Sequence, residues 1–168
     1  MAKGSKIVFE DFTNEIVGEL KDTIVGWLYE AGNELASQAA TRTGTGAYYR
    51  EIASKWDCVV DENKYTAIIG NPLENALWVE FGTGEYALNG DGRKGYWVFV
   101  KNSDGTSSKS TKQYTKQEAK QVVAFMRSKG LDAMYTSGTP AKRPLHNAFI
   151  TNEDAIKDQL RSRLKGMK

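Results

Sequence analysis

The chain has 168 residues, of which 40% are hydrophobic and 26% are charged, the composition of one ordinary globular domain spanning residues 1–168. Its single cysteine excludes an internal disulfide and fits synthesis in a reducing cytoplasm, and one Cys with one His is too few for a zinc site. Apolar runs stay far below the roughly 20 residues of a membrane span, so we expect neither a transmembrane helix nor a secretory signal.

The formal net charge of +2 is distributed unevenly along the chain. Residues 1–84 carry 7 Lys/Arg and 13 Asp/Glu, whereas residues 85–168 carry 16 Lys/Arg and 8 Asp/Glu. Three interpretations fit this asymmetry: neutralisation within one subunit, head-to-tail contact between subunits, or contact of the basic half with DNA phosphates. Charge alone does not separate them.

A long helix is predicted over residues 11–40. Asp11 is a plausible N-cap, because its carboxylate can accept a hydrogen bond from a free amide of the first turn. Apolar residues recur at spacings of four and three, the pattern of one helical face. Such spacing favours a core helix over a coiled coil. The stripe consists of Phe12, Ile16, Leu20, Ile24, Leu28, Ala31, Leu35 and Ala39.

An antiparallel hairpin is predicted over residues 52–70, after glycines that end the first helix. Ile52, Trp56, Cys58 and Val60 occupy even positions, which indicates a half-buried strand. On that face Cys58 is interpreted as a small core residue and not as a nucleophile.

A short helix over residues 73–80 precedes a loop-rich insertion. The insertion, residues 85–115, contains the β-prone run Tyr96–Val100 and a Ser/Thr-rich tip. We expect a hairpin that projects from the body and is flexible in the monomer.

Two helices are predicted in the last third of the chain. Thr115 and Glu118 have the spacing of a capping box, and Gly130 ends that helix. Pro144 suits the first position of the final helix, because its missing N–H costs nothing there. The predicted fold class is therefore α+β, with an antiparallel sheet packed against the long N-terminal helix.

No catalytic, metal or cofactor site is predicted. A hydrolase would need His146 as its base, but His146 lies outside the apolar stripe of its helix and is interpreted as a solvent or interface residue. The glycine-rich loops lack a P-loop pattern, and adjacent carboxylates fit helix ends and turns.

Nucleic-acid binding is the harder class to exclude. Basic residues interleaved with aromatic residues can hold phosphates and stack bases. A solvated loop has the same composition, as does a structural loop that lines a DNA-conducting channel. The candidate interface or DNA contacts are Lys101, Lys109, Lys112 and Lys116, near Tyr96, Trp97, Phe99 and Tyr114.

Two segments resemble a known family, the minor head–tail joining proteins of long-tailed bacteriophages, also described as neck, tail-component or tail-completion proteins. The first is Ala76-Leu77-Trp78-Val79-Glu80-Phe81-Gly82-Thr83-Gly84, similar to the family's Tyr-Ala-x-x-Val-Glu-x-Gly-Thr segment. The second is Gly138-Thr139-Pro140-Ala141-Lys142-Arg143-Pro144-Leu145-His146-Asn147-Ala148-Phe149, similar to its Pro-x-Arg-Pro-Phe-Leu-x-x-Ala-Phe segment.

The resemblance extends over nearly the whole chain, with a longer insertion than in compact members and with Leu145 directly after Pro144 where Phe-Leu is typical. It implies a non-enzymatic virion subunit, made in the host cytoplasm, that assembles into a ring at the neck or tail end. The implied partners are other copies, head-completion or tail-tube proteins and DNA in the channel. A small nucleic-acid-binding module is the alternative.

The first motif has a physical interpretation of its own. Gly82 and Gly84 permit a sharp turn, and Thr83 can bond the neighbouring backbone. Glu80, just before the turn, can pair with Arg143 or cap backbone amides, which would join two distant segments. An ordinary exposed glutamate beside a turn is the other possibility.

Overall fold

A computed structural model describes residues 11–103 and 106–167. The fold is α+β, as predicted, although two small antiparallel sheets replace the single sheet expected. Its elements in chain order are α1 (Thr13–Thr43), α2 (Ala47–Ala53), β1 (Asp57–Asp61), β2 (Thr66–Gly70), α3 (Glu74–Phe81), β3 (Trp97–Lys101), β4 (Ser107–Lys109), α4 (Lys116–Ser128), β5 (Asp132–Thr136) and α5 (Pro144–Gly166).

The first layer of the fold is α1 packed against α5 and against the β1–β2 hairpin. Leu35 and Ala39 of α1 form a buried cluster with Ala148 of α5. The indole N–H of Trp27 donates to the carbonyl of Ile156 at 3.1 Å, which fixes the two helices farther along their contact.

The apolar stripe of α1 divides into two parts. From Leu28 to Ala39 it is buried, as predicted. Phe12 and Ile16 are instead 51% and 59% exposed, and Leu20 is 38% exposed. The prediction of one continuous core face is therefore wrong for the first half of the stripe, because the helix is longer than the body that it packs against.

At the start of α1, the Asp11 carboxylate accepts hydrogen bonds from the hydroxyl of Thr13 at 2.5 Å and from its amide at 2.9 Å, and these two hydrogen bonds lower the pKa of Asp11. The N-cap position is occupied by Phe12 and not by Asp11 as predicted. The Asp11 carboxylate bonds the first turn from the residue before the N-cap.

The predicted hairpin of residues 52–70 is shorter than expected. Ile52 lies on α2 and is fully buried, and β1 begins only at Asp57. Ile52 and Trp56 are four residues apart, a spacing that serves a helical turn as well as a strand. The remaining part, β1 paired with β2 in the register Cys58↔Ile69, is antiparallel as predicted.

Cys58 is half-buried and its thiol packs against Gly32 of α1, so its interpretation as a packing residue agrees with the structure. Burial, aided by the neighbouring Asp57 carboxylate, raises the pKa of the thiol. A raised pKa leaves little reactive thiolate at neutral pH.

We therefore expect iodoacetamide to alkylate Cys58 in the folded protein at least about tenfold more slowly than in denaturant. The matched control places the thiol on the exposed neighbouring strand position, in a Cys58→Ala/Val59→Cys variant, and should react at similar rates folded and unfolded. Equal rates for native Cys58 in the two states would contradict its protected position.

The insertion, residues 85–115, is predicted as a projecting hairpin, but its strands belong to a larger three-stranded sheet. β3 pairs with β4 as expected, but it also pairs with β5 on its other side, giving the order β4-β3-β5. This sheet and α4 share their own core of Val98, Ala119, Val123 and Ala133. The strand β5 was not predicted, because Asp132–Thr136 is short and mixed in polarity.

Both helix starts predicted in the last third are confirmed. Thr115 accepts from the amide of Glu118, and the Glu118 side chain accepts from the amide of Thr115 at 2.8 Å, which completes the capping box. The hydrogen bonds that the Glu118 carboxylate accepts from the amide and the hydroxyl of Thr115, each at 2.8 Å, lower the pKa of Glu118. Pro144 occupies the first position of α5, directly after Arg143 in a left-handed conformation (φ 54°).

Candidate functional site

The two motif segments lie side by side, although more than fifty residues separate them in the chain. The amide of Thr83 donates to the carbonyl of Thr139 at 2.9 Å, and the amide of Thr139 donates back to the Thr83 hydroxyl at 3.0 Å. The amide of Lys142 donates to the carbonyl of Val79 at 2.8 Å. Main-chain hydrogen bonds thus join the end of α3 to the segment that enters α5.

Glu80 is the side chain that connects these segments. It is only 9% exposed, and its two carboxylate oxygens accept from the amides of Leu145 at 2.9 Å and His146 at 3.1 Å. Arg143, which precedes α5, provides no side-chain cap, so a glutamate from another helix caps α5 in its place. The predicted contact of Glu80 with backbone is therefore confirmed, whereas no described ion pair joins Glu80 to Arg143.

The Gly82-Thr83-Gly84 turn is possible only because both glycines lack a side chain. Gly82 and Gly84 have φ angles of 73° and 61°, in the left-handed region. A Cβ on Gly84 would overlap the carbonyl oxygen of Ser137 and lie 2.7 Å from the Trp97 ring. The turn therefore packs directly against the chain that follows β5.

An open apolar groove of about 630 Å³ lies where the two motifs meet. Its lining includes Leu77 and Phe81 from the first motif and Leu145 and Phe149 from the second. Leu77, Phe81 and Phe149 are 57%, 43% and 47% exposed, so large apolar side chains lie at the surface of the groove. Leu35 of α1 also lines it.

The polar lining of the groove is sparse and uneven. Glu80 uses both carboxylate oxygens on the start of α5, and no carboxylate among the described residues forms an ion pair with Arg143, the other charged side chain of the lining. His146 is half-buried in the same lining. Sequence reasoning identified the residues of both motifs but did not predict that they form one groove.

Two of the predicted basic contacts lie against aromatic rings of the same chain. The Lys109 ammonium lies 5.7 Å from the centre of the Trp78 ring, and the Lys112 ammonium lies 5.2 Å from that of Tyr114. Cation–π contacts of this kind occupy the ring faces on which bases would stack.

The other two lysines are placed differently. Lys101 ends β3 opposite Asp132 of β5, and Lys116 is the first residue of α4. Tyr96, which bridges to Tyr114, lies five residues before Lys101, about 17 Å along an extended strand. Lys101 and Lys109 therefore end β3 and β4, whereas Lys112 lies in the loop between β4 and α4 and Lys116 begins α4.

Arg93 and Lys142 form tertiary contacts that were not predicted from the sequence. Arg93 lies 5.1 Å from the centre of the Trp97 ring and donates to the carbonyls of Ser110, Thr111 and Lys112. The Lys142 ammonium lies 3.5 Å from the centre of the Tyr49 ring. Sequence patterns do not indicate the hydrogen bonds of Arg93 or the ring contact of Lys142, because their partners are distant in the chain.

Within residues 11–103 and 106–167, no cluster of three or more His, Cys, Asp or Glu side chains is arranged to bind a metal ion. In that same part of the chain, no helix has the length and apolar character to span a bilayer. No known protein-family model, curated protein or solved structure matches this chain.

Proposed function

We propose that this chain is a structural virion subunit of a long-tailed bacteriophage that assembles as a ring at the neck or tail end. One observation carries the proposal: the two segments that resemble the head–tail joining family form a single unit around Glu80. Because that unit also lines an apolar groove, the residues that carry the resemblance build a surface suited to protein contact.

The exposed apolar side chains support an assembly role. Leu77, Phe81 and Phe149 belong to one groove, and the stripe of Phe12, Ile16 and Leu20 is a second apolar surface on α1. Contiguous apolar surface of this kind is typical of interfaces with other proteins.

The charge asymmetry supports contact between copies over neutralisation within one copy. Among the described residues, Glu30 with Arg163 is the one ion pair that joins the acidic first half to the basic second half. The other described pairs link residues three or four apart within one segment. Most acidic and basic side chains of the described residues therefore form no ion pair across the two halves of one copy, and we propose that they face opposite charges on neighbouring copies.

Deleting the coding sequence from the phage or prophage that carries it should yield full heads and free tails that do not couple. We expect electron microscopy to show the two populations separately, and we expect infectivity to fall by orders of magnitude. Supplying the wild-type protein in trans should restore joined particles. Infectious, fully coupled particles made in its absence would refute the proposal.

A measurement on the isolated protein separates the alternative, a nucleic-acid-binding module. Such a module would bind duplex or single-stranded DNA with an affinity that falls steeply as salt rises. Its binding would weaken when Lys109 and Lys112 are changed together to glutamine. A structural ring subunit should instead couple heads to tails when it carries the same double change.

A further inference from the structure

The exposed first half of the α1 stripe has the form of a helix that docks into a groove. Phe12, Ile16 and Leu20 follow at four-residue spacing on one face, the arrangement of anchors in helix-in-groove recognition. Each four-residue step turns the helix by about 40° beyond a full turn, so these side chains lie roughly 80–160° around α1 from the buried Leu28. The helix therefore presents one apolar face to its own core and a second apolar face outward.

The apolar groove has the complementary properties. It is open, lined largely by apolar side chains, and rimmed by the exposed Leu77, Phe81 and Phe149. The lining holds one anion, Glu80, whose carboxylate is bound to amides of α5, and one cation, Arg143. Glu15 and Glu19 lie beside Phe12 and Ile16 on α1, so a docked stripe would bring carboxylates to Arg143.

The two surfaces cannot meet within one copy. Leu35 lines the groove, and α1 is a continuous helix from Thr13 to Thr43. Leu20 is fifteen residues from Leu35, which at the helical rise is about 22 Å along a rigid rod, and Phe12 is farther still. Any contact between stripe and groove must therefore join different copies.

We infer that the first three turns of α1 in one copy dock into the Leu77–Phe81–Phe149 groove of the next copy. Such a contact uses two different surfaces, so it is heterologous and propagates from subunit to subunit until a ring closes. The inference rests on the proposed function and names the contact by which that ring would form.

Cysteine cross-linking between two variants tests the contact directly. In a Cys58→Ala background, Ile16→Cys and Phe149→Cys are purified separately, mixed, and exposed to a short bifunctional thiol reagent. We expect a covalent dimer in the mixture and almost none in either variant alone. Cross-linking captures transient contacts, so the test applies even if the free subunit is mainly monomeric.

Other results would overturn the inference in recognisable ways. A dimer formed by Ile16→Cys alone would mean that two stripes pack on each other in a symmetric contact. Absence of any cross-link, at the highest concentration at which the protein stays soluble, would mean that the stripe does not dock on another copy of this chain.

A second measurement uses charge to disrupt the contact. Ile16→Asp should abolish the cross-link between Leu20→Cys and Phe149→Cys variants, whereas Phe125→Asp should leave it unchanged. Phe125 is a matched control, because it is also a large apolar side chain on a helix and is similarly exposed, at 65% on α4 compared with 59% for Ile16 on α1. Circular dichroism should confirm that both variants fold.

Complementation separates failure of this inference from failure of the proposed function. If the deletion phage is rescued by wild-type protein and equally by Ile16→Asp, the virion role stands and the docking contact is wrong. If the deletion has no effect on head–tail coupling, the virion role is wrong, whatever the cross-linking shows.

Discussion

Glu80→Ala is expected to lower the free energy of unfolding by about 3 kcal/mol, because it leaves two amides at the start of α5 without an acceptor. The site is 9% exposed, so water can replace the carboxylate only in part. Urea unfolding followed by circular dichroism measures the loss.

Two further variants make that result specific. Glu80→Gln keeps one acceptor oxygen and should lose about half as much. Glu51→Ala removes an exposed glutamate from α2 and should change stability by no more than about 0.5 kcal/mol. Equal losses for Glu80→Ala and Glu51→Ala would show that the bonds from Glu80 to α5 contribute nothing beyond a surface charge.

Gly84→Ala is expected to have the larger effect, about 4 kcal/mol, because two costs combine. Its φ of 61° disfavours any side chain, and the added methyl would meet Ser137 and the Trp97 ring. At the lower end of the typical range of domain stabilities, about 5 kcal/mol, such a loss would leave a measurable fraction of the protein unfolded at room temperature.

Gly90→Ala separates the two costs. Gly90 also has a positive φ, 75°, but a Cβ there has no atom within 4 Å. This variant should lose only the conformational cost, about 1–2 kcal/mol. If both variants lose the same amount, the close packing of the motif turn against Ser137 is not a determinant of stability.

The sequence predicted the elements whose signals are local. Thr115 and Glu118 form a capping box within one turn, and Pro144 fits the first position of α5 for reasons that involve no distant residue. The contact of Glu80 with backbone was one of three predicted outcomes, beside a pair with Arg143 and an exposed side chain, and it is the one that satisfies a buried carboxylate.

What the sequence did not predict depends on tertiary packing. Ile52 and Trp56 fit both a helix and a strand, and only the surrounding core selects the helix. The exposure of Phe12 and Ile16 follows from where the body of the domain ends, which helical periodicity does not encode. The groove needs α1, α3 and α5 in their relative positions, so no single segment indicates it.

The groove lies between two helices that the carboxylate of Glu80 connects. Leu77 and Phe81 sit on the helix that carries Glu80, while Leu145 and Phe149 sit on the helix that Glu80 caps. Glu80 and the main-chain bond from Lys142 to Val79 together hold the two helices side by side. Under the proposed docking, a subunit in which α3 and α5 are not joined would lack the surface that its neighbour is proposed to bind.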